Sequence, residues 1–566
     1  MATELGYTTS KNCLKLVPPR SNPSRNVLQK IVVGDHNGVL TCLSRSKNAF
    51  SIVFKTLPGT KIEIVKLGGA LGTVQDKIFI ACGSMVKGYS KKGKQFFAFE
   101  TNSTEPIYNM YVYGVDVFLC GSYSMTHYRD CHEVNYYLCG DRINDLICLP
   151  VLEGGWVGRP LTPVLACDDR TLKVLKGSDL DYVTEVGGTP NILHLYENTG
   201  GSQGDLLLYG TKDGRLGLAQ LPVDNPFLKW EISTSTNAAV TAIDCYNFSG
   251  NADTLDVIVG KQDGNIEIFS FDDDRKPKIL QQFQNNEGVT SLCCGKVASL
   301  YYDEIVVCSY SGWIFSLTTE PSGKQTGSNE ENQEKSHINK ENDQSLTAII
   351  DKLKGDIEEL QTKVNSERDC YQKNIQKQNS LSAIPLFPIN DNFTLNKEDA
   401  SYTLTIELQS PVDYVLLQSA IPLDLLDVEK NAAVVSTTPC PTGTPNALLA
   451  TFRCQANTTR MEMKVRSVEG QYGTLCAYIS PKLHPAMCQV REYTVKPLSL
   501  HQRAHKFDAD RPNSTLSLTG SFTMAECHSW IMFCLPDVPE RCPDVARNQY
   551  WFVSSFLGTQ LECSYG

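Results

Sequence analysis

The chain has 566 residues, a formal net charge of -11 at pH 7, a pI near 5.4, and 41% hydrophobic against 20% charged residues. These proportions belong to a folded globular protein and exclude a disordered or fibrous one. The acidic balance argues against a dedicated nucleic-acid surface, which needs clustered Lys and Arg to displace phosphate counterions.

The opening residues MATELGYTTSKNCLKLVPPR lack the continuous apolar core of a secretory signal, and no run of about 18 apolar residues follows anywhere. A cytosolic location is expected, with no glycan at the sequons of Asn102, Asn392 and Asn457. The 21 cysteines are scattered through strand-like runs, as at Cys42, Cys82, Cys148 and Cys476. In a reducing compartment such residues act mostly as small buried hydrophobes.

From Ile31 to Leu317 one pattern recurs seven times: apolar residues, a small residue, a polar turn, then alternating apolar residues. The copies are KIVVGDHNGVL, KIFIACGSMVKGY, VFLCGSYSMTHY, PVLACDDRTLKVL, DLLLYGTKDGRLGL, DVIVGKQDGNIEIF and EIVVCSYSGWIFSL. Their small residues, Gly34, Ala81, Cys120, Ala166, Gly210, Gly260 and Cys308, follow at intervals of 47, 39, 46, 44, 50 and 48 residues. That period is the length of a four-stranded propeller blade, so a seven-bladed β-propeller over 1–320 is predicted. Asn37-Gly38, Asp213-Gly214, Asp263-Gly264 and Ser311-Gly312 read as two-residue hairpin turns in which Gly supplies positive φ. Asp213 and Asp263 are turn residues in this reading, because no copy has the Asp-x-Asp-x-Asp-Gly spacing of a calcium loop. Lys91-Lys92-Gly93-Lys94 reads as a solvated hairpin tip.

Residues 321–344 are nearly devoid of apolar side chains and form a polar linker. A heptad seam then runs through 345–380, with Ile350, Ile357 and Val364 at a and Leu346, Leu353 and Leu360 at d. Glu367 breaks the next d position and Tyr371 occupies a. Gly355 falls at the outward f position. So narrow a stripe requires a partner: either the helix docks on its own propeller or, as favoured here, it pairs with a second helix, and β-branched a residues with Leu at d fit a parallel two-stranded coiled coil. Pro385 and Pro388 end the helix. Between 387 and 496 the segments SYTLTIEL, DYVLLQS, NALLATFRCQ, TRMEMKVRS and TLCAYISP predict a β-sandwich. In 497–566 NSTLSLTGSF reads as a strand, and Thr523 with Glu526 as a capping box opening a helix that carries Trp530, Ile531 and Phe533. This last α/β unit is expected to be incomplete, since the sequence stops after LECSYG.

No phosphate loop, nucleophile elbow or zinc helix is present. Cys120, His127, Cys131, His132 and Cys139 have metal-ligand chemistry but the wrong spacing for paired knuckles. His194 sits between Leu193 and Leu195 as an ordinary strand residue, and His484, His501, His505 and His528 have no Cys or Ser partner at motif spacing. Asp145, Asp169 and Asp244 are carboxylates that a propeller enzyme would place at its channel mouth. Trp313 and Trp530 are expected to pack in cores. No catalytic residue, cofactor site or metal site is nominated.

The runs GDHNGVL (34–40), FKTLPG (54–59), GDRINDLICLPV (140–151), DEIVVCSYSGW (303–313), NKEDASYTL (396–404), RSVEGQYGTL (466–475) and KPLSLHQRAH (496–505) resemble the Bardet-Biedl syndrome 7 family of BBSome subunits, across essentially the whole chain. The resemblance implies a multidomain, mainly β chain: propeller, α-helical coiled coil, adaptin-ear-like sandwich, α/β platform and a C-terminal helical region. The helical region has no counterpart here. It further implies a non-catalytic subunit of an octameric coat-like adaptor, with the coiled coil pairing to the paralogous Bardet-Biedl syndrome 2 protein. Recruitment to membranes by an Arf-like GTPase and transport of membrane receptors with intraflagellar transport are part of the same implication. So is a location at the ciliary base, centrosome, cilium and, peripherally, the ciliary membrane. A vesicle-coat scaffold unrelated to cilia, or a propeller hydrolase or dehydrogenase, are the alternative readings.

Overall fold

The computed structural model describes residues 2–19, 28–46, 49–71, 73–149, 161–196, 205–221, 227–250, 254–272, 276–320, 386–430, 433–441, 445–455, 457–483, 486–543 and 545–566, with 354–355, 357–359, 361–363 and 366. Six four-stranded antiparallel sheets follow in chain order over 14–55, 64–100, 109–138, 143–185, 190–233 and 240–284. They are blades 1 to 6. Blade 7 takes three strands, Val289–Gly295, Glu304–Ser309 and Trp313–Thr318, and its outer strand is Ala2–Glu4 from the start of the chain. Ala2 pairs with Phe315, Thr3 with Ile314 and Glu4 with Trp313. The seven predicted copies are therefore seven blades, and the ring is closed by a strand the repeat pattern does not contain.

The propeller has no single core. Seven apolar clusters lie one at each blade boundary, and the clusters close the circle as the strands do. Leu14, Ile31 and Val33 of blade 1 meet Cys293, Val306 and Cys308 of blade 7. On its other side blade 1 gives Val32, Leu40 and Cys42 to Val65, Ile78 and Ile80 of blade 2. Each fully buried aliphatic side chain contributes about 1.5–3 kcal/mol. The blades hold one another through these boundaries.

That packing explains the small residue in every copy. A Cβ on Gly34 would lie 2.6 Å from Ile62 Cγ2, and one on Gly260 would lie 2.6 Å from Val289 Cγ1. Ile62 leads into the inner strand of blade 2 and Val289 opens that of blade 7, so the small residue makes room for the next blade. Ala81, Cys120, Ala166 and Cys308 at the equivalent positions are fully buried.

The four Gly turns are present, with one correction. Gly38, Gly214, Gly264 and Gly312 have φ of 75°, 77°, 87° and 90°, while the residues before them do not have positive φ. Each Gly N–H donates three residues back, to Asp35, Thr211, Lys261 and Ser309. These are three-residue loops ending in a left-handed Gly, and the expected two-residue turns are not formed. The cause is tertiary: a Cβ at any of the four would come within 3.0 Å of a backbone carbonyl in the linker that follows the blade's outer strand. For Gly312 that carbonyl is Tyr7 O, so the chain's first segment serves blade 7 as the other linkers serve theirs. Gly93 of the lysine hairpin also has positive φ, and Lys91 pairs with Asp76 at 2.7 Å.

Beyond the ring a four-stranded sheet, ordered 389–396, 401–408, 460–467 and 423–426, faces a five-stranded sheet ordered 433–437, 448–454, 412–419, 473–481 and 489–495. Alternating Leu404, Ile406, Leu408 and Met461, Met463, Val465 fill the space between them. This is the predicted sandwich. The terminal unit has a three-stranded sheet of His501–Ala504, Asn548–Ser554 and Gln560–Tyr565 and the helix Met524–Cys534. Its capping box is formed: Glu526 N–H donates to Thr523 Oγ1 at 3.2 Å, and Thr523 N–H donates to Glu526 Oε2 at 2.8 Å. NSTLSLTGSF, residues 513–522, is not a strand; Leu516 and Leu518 are exposed. Alternation alone did not supply a neighbouring edge to pair with. Trp530 and Trp313 are not core residues either, being 46% and 41% exposed, and Trp530 packs edge-on against Phe522.

The turn geometry predicts a graded response. Gly264→Ala meets both the positive φ and the carbonyl of Asn285, whereas Gly250→Ala meets only its φ of 75°, with nothing within 4 Å. Gly264→Ala is expected to cost about 2–4 kcal/mol and Gly250→Ala about 1 kcal/mol, measured by denaturant unfolding.

Candidate interaction site

Among the described residues, the contacts that join the ring to the rest of the chain fall on one face, where the inner strands begin and the Gly turns lie. The sandwich reaches it through Glu407, which is almost fully buried and whose Oε1 accepts the Gly288 N–H at 2.7 Å, while Oε2 accepts from Asn390 Nδ2 at 3.0 Å. Burial holds the Glu407 carboxyl above its ordinary value, against the pull of the Gly288 and Asn390 hydrogen bonds. Lys397 Nζ donates to Gly187 O at 3.2 Å, Asn392 Nδ2 to Gln262 Oε1 at 3.2 Å and Gln409 Nε2 to Gly6 O at 2.8 Å. Burial beside Arg170 and Arg215 brings the Lys397 ammonium down to about 8.

The terminal unit binds blades 3 and 4. Arg170 Nη1 donates to Arg503 O at 2.7 Å, Arg503 faces Asp141 at 3.9 Å, and His505 faces Glu185 at 3.6 Å. Tyr123 donates to Glu540, and Arg541 lies over the Tyr123 ring at 5.3 Å. The sandwich and terminal unit are tied in turn by Tyr402 Oη to Ser499 O at 2.6 Å. Lys496 Nζ donates to the carbonyls of Met532 and Leu535 at 2.6 and 2.9 Å, which puts a cation where the helix dipole is negative.

Between the three bodies lies a cavity of about 700 Å³. Several of its lining cations pair with carboxylates: Lys212 with Asp168 at 2.7 Å, Arg215 with Asp213 at 3.2 Å and Glu231 at 3.0 Å, Lys464 with Asp399 at 3.1 Å. The arrangement is that of a hydrated polar joint between domains. It orients three bodies and presents no nucleophile with a base.

Inside the ring, Lys11 crosses the channel. Its Nζ, carried on the lead-in to blade 1, donates to Asn144 O at 2.7 Å and Asn191 O at 2.8 Å on blades 4 and 5, the two farthest from blade 1 in a ring of seven. Burial lowers the Lys11 ammonium to about 8. The channel carboxylates are structural. Asp145 accepts the N–H groups of Leu146 and Leu193 at 2.9 and 2.8 Å. Asp244 accepts those of Cys245 and Cys294 at 3.0 and 2.6 Å. Each thus links its own inner strand to the next. Asp169 pairs with Lys173 at 2.8 Å.

The sequence-nominated metal types do not converge. Cys120 and Cys139 are buried, Cys131 is exposed in a turn, and His127 Nε2 donates to Asp116 Oδ1 at 2.7 Å while its ring stacks on Phe118. His194 is a strand residue 3.7 Å from Asp244, His501 pairs with Glu469, and His528 is buried between Pro539 O and Tyr565 Oη. His484 lies outside the described residues. Of the heptad seam, Ile357 is helical and 52% exposed, and Glu359 and Lys363 beside it form an i,i+4 pair at 2.6 Å. Leu346, Ile350, Leu353, Leu360, Val364 and Tyr371 lie outside the described residues. Lys11, Glu407 and Arg170 escaped the sequence reading, because their partners are backbone groups more than a hundred residues away and a backbone group has no sequence signature.

Three family models match the chain: the BBS7 beta-propeller over 14–319, the BBS7 GAE domain over 385–493 and the BBS7 platform domain over 501–566. The BBSome complex member BBS7 of Mus musculus is 50% identical over 559 residues, covering 98% of this chain and 76% of its own. The BBSome complex member bbs-7 of Caenorhabditis elegans is 39% identical over 566 residues, covering 99% and 76%. Among solved structures, BBS1N in complex with ARL6DN aligns with 58% of this chain and 98% of its own at 12% identity and a TM-score of 0.44.

The Lys11 plug has a pH signature. Its folded value near 8 lies below the ordinary 10.5, so between these the unfolded chain holds a proton the native chain has released, and stability rises with pH across that window. In unfolding titrations at pH 7.5 and 10, wild type is expected to gain on the order of 1–3 kcal/mol relative to Lys11→Met.

Proposed function

The chain belongs to the BBS7 family, and on that premise we propose that it is a non-catalytic scaffold subunit of the BBSome, sorting membrane proteins to and from the primary cilium and supporting ciliogenesis. The observation that carries this reading is the match of family domains along the chain, joined to a structure whose inter-domain polar groups serve domain seating. Asp145 and Asp244 are occupied by backbone N–H groups and Asp169 by Lys173, which supports a role without catalysis.

In this reading the chain divides into propeller (1–320), linker (321–344), coiled coil (345–380), ear-like sandwich (387–496) and platform (497–566). The ring and the ear supply rigid faces. The helix carrying Leu346, Ile350, Leu353, Ile357, Leu360, Val364 and Tyr371 supplies assembly, pairing with the Bardet-Biedl syndrome 2 paralogue. Half-exposed Ile357 supports a seam that is completed by another chain, since a solitary apolar stripe stays wet. The Arf-like GTPase and the receptor cargo engage at the level of the whole complex, which places the subunit at the basal body, the centrosome and, peripherally, the ciliary membrane.

Placing Asp at both Ile357 and Leu360 tests the seam. Each residue buried in a pair is worth about 1.5–3 kcal/mol, so pairing should weaken by on the order of a hundredfold or more. The partner subunit should be lost in native mass spectrometry of the purified complex, while the unfolding of the propeller is unchanged. Retention of the partner at full stoichiometry would refute the assembly role, and failure of a tagged chain to reach the cilium base would favour a coat scaffold unrelated to cilia.

A further inference from the structure

Two thiols meet beneath the platform. Cys139, just after the outer strand of blade 3, and Cys167, at the end of the second strand of blade 4, bring their sulfurs to 3.7 Å, and both side chains are fully buried. Lys173 Nζ lies 3.5 Å from Cys139 Sγ and 2.8 Å from Asp169 Oδ2, and Thr171 Oγ1 donates to Asp169 Oδ1 at 2.5 Å. A metal is not the natural occupant, because the ammonium already stands where a cation would bind thiols and carboxylate together. Two residues beyond Cys139, Asp141 faces Arg503 of the platform strand at 3.9 Å.

We propose that Cys139 and Cys167 are an oxidant-responsive thiol pair that closes to a disulfide across the boundary of blades 3 and 4, with a small hydroperoxide as the oxidant. The two sulfurs differ in the way such a step requires. A hydrogen bond from the Cys167 thiol and the nearby Lys173 ammonium bring Cys139 down to about 6, while burial and the neighbouring Cys139 sulfur push Cys167 well above the ordinary thiol range. Cys139 is the thiolate and Cys167 the thiol. The Cys139 thiolate attacks one oxygen of hydrogen peroxide, the O–O bond breaks, and a sulfenic acid forms as the departing hydroxide takes up a proton and leaves as water. Cys167 then attacks the sulfenic sulfur, the S–O bond breaks, and a second water leaves with the Cys167 proton. Two thiols and one peroxide give one disulfide and two waters. The sulfurs close from 3.7 Å to about 2.0 Å, and Lys173 is left with Asp169 alone. The pair thereby links an oxidant to the strand that seats the platform.

The test treats the full chain with graded hydrogen peroxide, denatures it in alkylating reagent and maps the peptides. A linked peptide joining Cys139 to Cys167, two hydrogens lighter than the reduced pair and restored by dithiothreitol, is the expected result. Its rate of formation should change less than about threefold from pH 7 to 8.5, whereas oxidation of exposed Cys488 should climb steeply with thiolate fraction. In Cys167→Ala, dimedone should label Cys139. Full alkylation of both residues at peroxide levels that oxidise Cys131 and Cys488, or linkage of Cys139 to any other cysteine, would overturn the proposal; both readouts are made on wild type and do not depend on a variant folding.

Discussion

The fixed geometry of the ring depends on a three-residue strand. A circle of blades has no core of its own, only boundaries, and each boundary is stable when the blades on both sides are in register. Pairing of Ala2–Glu4 with Trp313–Phe315 brings blade 7 beside blade 1 and completes the cluster of Leu14, Ile31 and Val33 with Cys293, Val306 and Cys308. Without that pairing the two terminal blades would each expose an apolar face. Closure also gives blade 7 its fourth strand, so that all seven blades are complete four-stranded sheets. The lead-in that follows carries Tyr7 onto Gly312 and Lys11 across the channel, so the same dozen residues seal the rim and the bore.

What the amino-acid pattern revealed and what it concealed divide along one physical line. The small residue of each copy was legible because the side chain at that position, Gly, Ala or Cys, packs directly against the next blade, and that demand recurs at every boundary. The Thr523-Glu526 cap was legible because it is local geometry, settled within a turn of helix. The closing strand was not legible: ATE has no period, and its meaning lies three hundred residues away. The Gly turns were read in the right places and with the wrong length, because the linker carbonyl that decides the loop type belongs to another segment. NSTLSLTGSF shows the converse, an alternating run with no edge to join.

The domain joint is built almost entirely from polar groups, in contrast to the apolar blade boundaries. Glu407 on Gly288, Lys397 on Gly187 and Arg170 on Arg503 each connect a side chain on one body to the backbone of another. Such directed bonds fix orientation, and a few of them add far less stability than the many apolar side chains buried at a blade boundary. The ring is therefore a rigid unit and its attachment to sandwich and platform an adjustable one. That division suits a scaffold subunit. It also places the channel plug, the joint and the Cys139–Cys167 pair on one side of the disc and leaves the other side clear of the rest of the chain's described residues.

Ring closure also has a temporal meaning. Residues 2–4 leave the ribosome well before their partners at 313–315, which emerge roughly 300 residues later, at ordinary synthesis rates on the order of 15–60 s. For that interval blade 1 is born with one flank bare. A nascent chain of this design waits, half-finished and sticky, for its own far end, and chaperone custody during translation is the natural remedy.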